Sequence, residues 1–554
     1  MAHDIHAHTI VNDDMAAVAG MSRSEMRVWA ENQVEEVHRI LANSHRRLEN
    51  LHAILNYSAP VNQLPDELLV EIIRNIKHDV SQSLKQWIGT THVCHRWRVA
   101  ALNAPLLWDV IHFDSRHIRE LDIAQLCLRR SKNASLQIHA DMGYSEFAMQ
   151  VLAREEHRIA SLKIADLSVD RGLWRLARNL SLMVNLQTLE LSYGIYRSPY
   201  TEDTLQLPAE CAARLRTIWV RNIFLRVVAP LSNLTYLDMS TCAPNRAAWP
   251  SLLRRCPRLV SLCLMHTQQS TYSQFAIGGV DLAASRQEDS SEGEGFPQRL
   301  TMRELGTLKL ELPPDHMFAI LDQFAFPQAT HISLVVLPEF AEPPTLSAVA
   351  MLRQMANVAV VSSIQYIRVV LSDHFNLLAW PIQDEEHDPL LRFVIPSQRR
   401  EETAALLIRE MMSAFSLSPL TFLNLQTTWT RTLDESLCLE LLCRYPLLAK
   451  LRVAGIYGAS PVLAALRQPA TSAVHAVVCS GLEVVGIYVP DLSETVNLVL
   501  DVLRYRNAQG SRLKELHLIT FQDDESGVDP SVMNQLKHLV DVVKISYSPR
   551  TIGD

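Results

Sequence analysis

One phrase keeps returning along this chain, and it limits the fold more than any other feature. In "LTYLDMSTC", Leu234, Leu237, Met239 and Cys242 stand at fixed offsets, and weaker copies appear as "LQTLELSYG", "LVSLCLMHT", "LTFLNLQTT", "LAKLRVAGI" and "LKELHLITF". Its alternation of apolar and polar residues is that of a strand with one buried face. Marking each copy by its central residue gives positions 162, 189, 218, 237, 262, 308, 332, 367, 423, 451, 485, 516 and 543, mostly about 19 to 35 residues apart. A longer echo, "LLRRCPRLVSLCL" from Leu252 and "LLCRYPLLAKLRV" from Leu441, makes the unit a helix, a proline-broken turn and a strand. One such unit cannot bury its own apolar face, so neighbours must stack. The long returns between copies put their strands parallel. The expected class is α/β, with a parallel strand array.

The phrase resembles the leucine-rich-repeat consensus. That likeness implies an irregular repeat solenoid over 114–554, since only Cys242 fills the usual Asn/Cys position. Two gaps are longer than the rest. One holds "ASRQEDSSEGEGFPQRL", too polar to order itself and expected as an exposed acidic loop at about 279–300, with Ser290 and Ser291 open to phosphorylation. The other holds "WPIQDEEHDPLLRFVIPSQRREE" and reads as a second insertion. The marker residues are assigned to packing, which leaves recognition to the residues beside them. Glu190, Trp219, Asp238 and Cys263 each follow a marker directly and should stand side by side on the outward face. With Asn424, Arg452 and His517 they form the candidate surface for a protein ligand, and Trp219 is its most informative member.

The first 113 residues follow other rules. Residues 1–23 read as a disordered tail, on which His3, His6 and His8 are solvated side chains rather than metal ligands. Over 24–57, Val34, Val37, Leu41, Ser44, Leu48, Leu51 and Leu55 alternate at spacings of three and four, the seam of a heptad helix. This helix is expected to pack on its own domain, the alternative being a weak homodimeric coiled coil. Then comes "LPDELLVEIIRNI", where Pro65 suits a helix start and Asp66 and Glu67 complement its dipole. "HVCHRWRVAALNAPLLW" follows. Three short helices over 58–113 cannot bury so many large groups among themselves, so some apolar surface is left for a partner.

Those blocks, Leu-Pro-x-Glu-Leu-Leu, then Val-Cys-x-x-Trp-Arg, then Leu-Trp, resemble the F-box in order and distance, and their wording is closest to the fungal set. The resemblance implies a three-helix module that docks the adaptor subunit of an SCF-type cullin–RING ubiquitin ligase. Carried over position by position, Leu64, Pro65, Leu68, Leu69, Ile72, Ile73 and Ile76 would meet the adaptor. Val93, Cys94, Trp97, Leu107 and Trp108 would form the F-box core.

No catalytic residue is expected. The chain lacks the phosphate-loop, dinucleotide, nucleophile-elbow and zincin motifs, and Cys94 beside His95 falls on a core position of the F-box. A net charge of −8 over 554 residues argues against nucleic acid as partner. Nine cysteines without metal-ligand spacing read as free thiols in a reducing compartment, with no metal or cofactor. No stretch reads as a signal peptide or membrane span, so cytoplasm or nucleus is expected. The function these readings imply is a substrate receptor of the ligase, the repeat region binding an unidentified protein. The alternative is a scaffold that uses the F-box only for adaptor binding or packing.

Overall fold

The computed structural model describes residues 14–79, 84–114, 118–141, 150, 153–167, 176, 178–193, 204–240, 248–266, 299–337, 344–355, 358–372, 374–382, 386–396, 401–427, 433–455, 459–469, 477–489, 492–521 and 529–548. The acidic segment with Ser290 and Ser291, and His3, His6 and His8, lie outside these residues. The chain forms two compact units. The first runs to Ile111 and takes back Ile123–Ser135, and the second holds His112–Asp122 and everything from Leu136 onward. The small unit thus uses residues past the boundary expected at 113.

Within the segment expected as a disordered tail, residues 14–17 form a helical turn and Val18 is buried, which corrects that expectation from residue 14 onward. Helix α1 (Arg23–Ser58) follows, started by a capping box in which Ser22 and Glu25 exchange bonds. None of its residues is buried, and Val34, Val37, Leu41, Leu48, Leu51 and Leu55 are each at least half exposed. The expectation that this seam packs within its own domain is therefore not met. Helices α2 (Asp66–Asp79), α3 (Leu84–Thr90) and α4 (His95–Asn103) follow. Leu69, Ile73, Trp87, Trp97, Leu107 and Trp108 fill their centre, with the Trp87 and Trp108 rings edge to face at 4.9 Å. The returning segment, which carries the end of helix α5 (Ile118–Arg130), adds buried Cys127 and sets Arg130 over the Trp108 ring, 4.3 Å from its centroid.

The second unit is mixed α/β, built on a large, mostly parallel sheet that does not close into a barrel. Its 17 strands among the described residues are β1 (Val110–Asp114), β2 (Leu136–Asp141), β3 (Ile159–Leu167), β4 (Thr188–Tyr193), β5 (Thr217–Arg221), β6 (Tyr236–Ser240), β7 (Ser261–Met265), β8 (Thr307–Leu312), β9 (His331–Val336), β10 (Tyr366–Leu371), β11 (His374–Trp380), β12 (Leu391–Pro396), β13 (Phe422–Thr427), β14 (Lys450–Ala454), β15 (Val484–Val489), β16 (Glu515–Phe521) and β17 (Val542–Ser548). Every marker position lies on a strand, and adjacent markers pair in register: Leu162 with Leu189, Leu189 with Ile218, Ile218 with Leu237, Leu237 with Leu262. A repeated device fixes this register. The carbonyl just before one strand accepts two N–H groups at the start of the next, as Gln187 does from Arg216 and Thr217, and Thr421 from Ala449 and Lys450.

Return helices line one side of the sheet, among them α6 (Ala248–Leu253), α7 (Pro314–Gln323), α8 (Pro344–Met355), α9 (Glu401–Ala414), α10 (Glu435–Arg444), α11 (Ala459–Leu466), α12 (Leu492–Ala508) and α13 (Pro530–Leu539). Each packs against the next in chain order. The echo noted in sequence is visible here: α6 buries Leu252 and Leu253 ahead of β7, and α10, capped by Asp434, buries Leu441 and Leu442 ahead of β14.

The sheet departs from expectation in one place. β12 pairs parallel with β9, β11 runs antiparallel to both β12 and β10, and β10 returns to the parallel set beside β13. The segment expected as an insertion is therefore partly built into the sheet. Only residues 372 and 373 separate Leu371 from His374, too few for a parallel crossover, so the chain must double back. The alternation of Phe375, Leu377, Ala379 and of Leu391, Phe393, Ile395, all buried, is the signal that marks both strands. Among the described residues no helix is long and apolar enough to cross a membrane.

Candidate functional site

On α2 the apolar residues divide between inside and outside. Leu69 and Ile73 are wholly buried, so the expectation that they reach a partner is corrected: at a spacing of four they form the inward stripe. Pro65 is exposed, Leu68 is 50% exposed, and Leu64, Ile72 and Ile76 are half-buried beside them. Val93, expected in the core, is 56% exposed. It lies in the turn before α4, ahead of the helix whose inward face carries Trp97, Ala100 and Ala101. Cys94 is half-buried at the N-cap of α4.

The start of α2 is held by residues that motif reading passed over. Buried Asn62 accepts from Trp97 Nε1 at 2.7 Å and from the Cys94 thiol at 3.7 Å, and donates to the Asn56 carbonyl at 2.6 Å. Arg96 donates to the Leu64 carbonyl and to Asp66, 3.0 Å away. Trp97 of the Val-Cys-x-x-Trp-Arg block and Arg96, which fills one of its variable positions, thus fasten the segment that carries the Leu-Pro block. A polar residue with a specific long-range partner leaves no periodic mark, which is why Asn62 was not legible.

On the sheet, alternation sends the residue after each marker to the face opposite the markers, the open face. Glu190, Trp219, Asp238 and Cys263 stand in one row on successive strands, as the spacing predicts. Lys163 pairs with Glu190 at 2.8 Å, and the Arg221 guanidinium lies 4.4 Å from the Trp219 ring centroid. Burial holds the Asp238 carboxyl above its ordinary range, and one of its oxygens is buried without a partner. The Cys263 thiol is pushed up to about 12, by burial first and the Asp238 charge second.

Pairwise register carries the same row from Cys263 through Lys309, Ser333, Arg392, Leu378, Arg368, Asn424, Arg452, Gly486 and His517 to Lys544. Asn424, Arg452 and His517 are therefore on the expected face, but Asn424 is not an exposed contact. It is 1% exposed, set between Arg368 and Arg452, and its Nδ2 donates to the Tyr366 hydroxyl at 3.3 Å. Arg368 and Arg392 were missed, because their place in the row depends on the antiparallel turn of the sheet.

No group of three or more His, Cys, Asp or Glu among the described residues could hold a metal ion. Burial pushes the Cys127 and Cys211 thiols up to about 11 and those of Cys256, Cys438 and Cys479 up to about 12. These five should resist iodoacetamide in the native chain at pH 7.5 and react fully in 6 M guanidinium; peptide mapping that finds any of them alkylated early would refute this burial. Compared with models of known protein families and with curated proteins, the chain gives no match.

Proposed function

We propose that this chain is a substrate-recognition subunit of an SCF-type cullin–RING ubiquitin ligase, in which the small unit is an F-box that docks the adaptor. The second unit is a leucine-rich-repeat-like array whose open face binds a protein substrate. The observation that carries the reading is the division of α2: Leu69 and Ile73 face inward beneath Trp97, while Pro65 and Leu68 stay exposed on the motif that resembles the F-box. Exposed apolar surface on a module this small favours a permanent partner. Ligase chemistry then belongs to other subunits, and this chain acts by raising the effective concentration of substrate lysines near the conjugating enzyme.

Changing Pro65 to Ala together with Leu68 to Glu should abolish adaptor capture from a fungal extract, at least a tenfold loss, with thermal unfolding of the sheet unit unchanged. Undiminished capture would end the F-box reading. A non-ligase scaffold is the second reading, resting on the same exposed face: adaptor recovered without cullin and RING subunits would favour it.

A further inference from the structure

Helix α1 leaves its apolar seam uncovered from Val34 to Leu55. Val34, Val37, Leu41, Leu48, Leu51 and Leu55 are each at least half exposed, and Ile40 and Ile54, one place before Leu41 and Leu55, widen the stripe at 52% and 64% exposure. The other faces of the helix hold Glu35, Arg39, Arg46 and Glu49, with Arg39 bridged to Glu36 at 2.7 Å away from the seam. A stripe this narrow fits one partner helix, whereas a helix lying on a domain surface shows a wider apolar arc.

The seam fits itself when reversed. In an antiparallel pair the a positions of one helix meet the d positions of the other. Setting Leu41 against Ser44 of a second copy then sets Val37 against Leu48 and Val34 against Leu51, and two-fold symmetry makes each layer occur twice. The one polar seam residue thus faces a leucine, and its hydroxyl can turn to a carbonyl of its own helix. Ala30 falls against Leu55, small against large. A parallel pair instead stacks Ser44 on Ser44 and puts Arg47 against His52. Reversed, Arg47 lies along Ile40, which its apolar stem can cover.

We infer that two copies of this chain join through α1, in an antiparallel coiled coil over 30–55 with Ser44 of each copy facing Leu41 of the other. The area suffices for a reversible dimer. A Val, Leu or Ile side chain takes about 60–120 Å² of apolar surface out of water when fully buried. Half of that, on eight side chains of each helix, is about 500–1,000 Å² before the flanking stems are counted, close to the roughly 1,000 Å² at which specific interfaces begin. The paired stretch is about 38 Å long at 1.5 Å per residue, so reversal sets the two small units, which continue from Ser58, at opposite ends of the coil. The inference goes beyond the proposed function and does not rest on it. Where both hold, one assembly presents two docking motifs and two open sheet faces.

The test is sedimentation velocity of the full chain between 1 and 50 µM. The average mass is expected to rise with concentration from 62.6 kDa toward twice that value. Leu41→Glu combined with Leu48→Glu should hold it at 62.6 kDa throughout, with the melting temperature and adaptor capture unchanged, because both side chains are 51% exposed in the single chain. Ser44→Leu adds apolar contact at the central layers and should tighten association at least tenfold. In Val37→Cys/Leu48→Cys, mild oxidation should join position 37 of one chain to position 48 of the other; within one helix these lie about 16 Å apart and cannot be bridged. A monomer at 50 µM, as when a segment of the same chain covers the seam, a dimer that survives the two glutamates, or links of 37 to 37 and 48 to 48 would each overturn the inference. Adaptor capture is lost separately, through Pro65 and Leu68, so failure of the ligase reading and failure of the dimer are distinguishable.

Discussion

Trp97→Ala should unfold the small unit while the sheet unit stays intact. The indole is 7% exposed, and its Nε1 donates to Asn62 Oδ1 at 2.7 Å. Truncation removes a large buried ring and takes from Asn62 its best donor, leaving only the Cys94 thiol at 3.7 Å. The cost is about 3–5 kcal/mol, as much as a unit this small can supply. Limited proteolysis of the full chain checks it: new cleavage should appear within 60–110, and the fragment from 136 onward should persist. Trp97→Phe, which keeps most of the ring but not the N–H, should lose less. If Trp97→Ala resisted proteolysis as the parent does, the core assignment would be wrong.

The second large effect lies at Arg506 on α12, whose side chain is fully buried. Its two terminal nitrogens donate to the carbonyls of Val478 and Cys479, both at 2.9 Å, and Cys479 is held at φ 48°, in the left-handed region. The turn ahead of β15 is therefore clamped from a helix 27 residues further along. Burial draws the guanidinium below its ordinary pKa, and even so it remains the charged donor at neutral pH. Arg506→Ala leaves the Val478 carbonyl unmet, the Cys479 carbonyl with only the Leu482 N–H, and a void beneath them, and should cost about 2–4 kcal/mol by urea denaturation of the sheet unit. Arg506→Met fills the void and sheds the desolvation cost, so it should recover part of the loss. An unchanged denaturation midpoint for Arg506→Ala would show that the clamp carries no stability.

What could be read from residues alone was whatever repeats locally. A strand's in-and-out alternation is a property of neighbouring residues, so Leu189, Ile218, Leu237 and Leu262 could be assigned inward, and Glu190, Trp219, Asp238 and Cys263 outward, without knowing the fold. Helix α1 and the three short helices were legible for the same reason. Their periodicity, and start signals such as Pro65, Asp66 and Glu67, act within one or two turns. The direction of burial was harder. A heptad seam has the same pattern whether it packs at home or waits for a partner, and only the structure shows Leu41, Leu48 and Leu55 uncovered.

Which strand lies beside which was decided by tertiary pairing. Arg392 stands two strands from Arg368 because β11 runs antiparallel to β10, and β12 then joins β9; the 23 residues between the two arginines carry no mark of that neighbourhood. Asn424 is one more outward polar residue in sequence. It is buried because the fold sets Arg368 on one side, Arg452 on the other and the Tyr366 hydroxyl within reach. Alternation fixes the face of the sheet a side chain occupies, but its neighbours there come from residues far away in the chain, and those long-range pairings are fixed by the packing of the whole sheet.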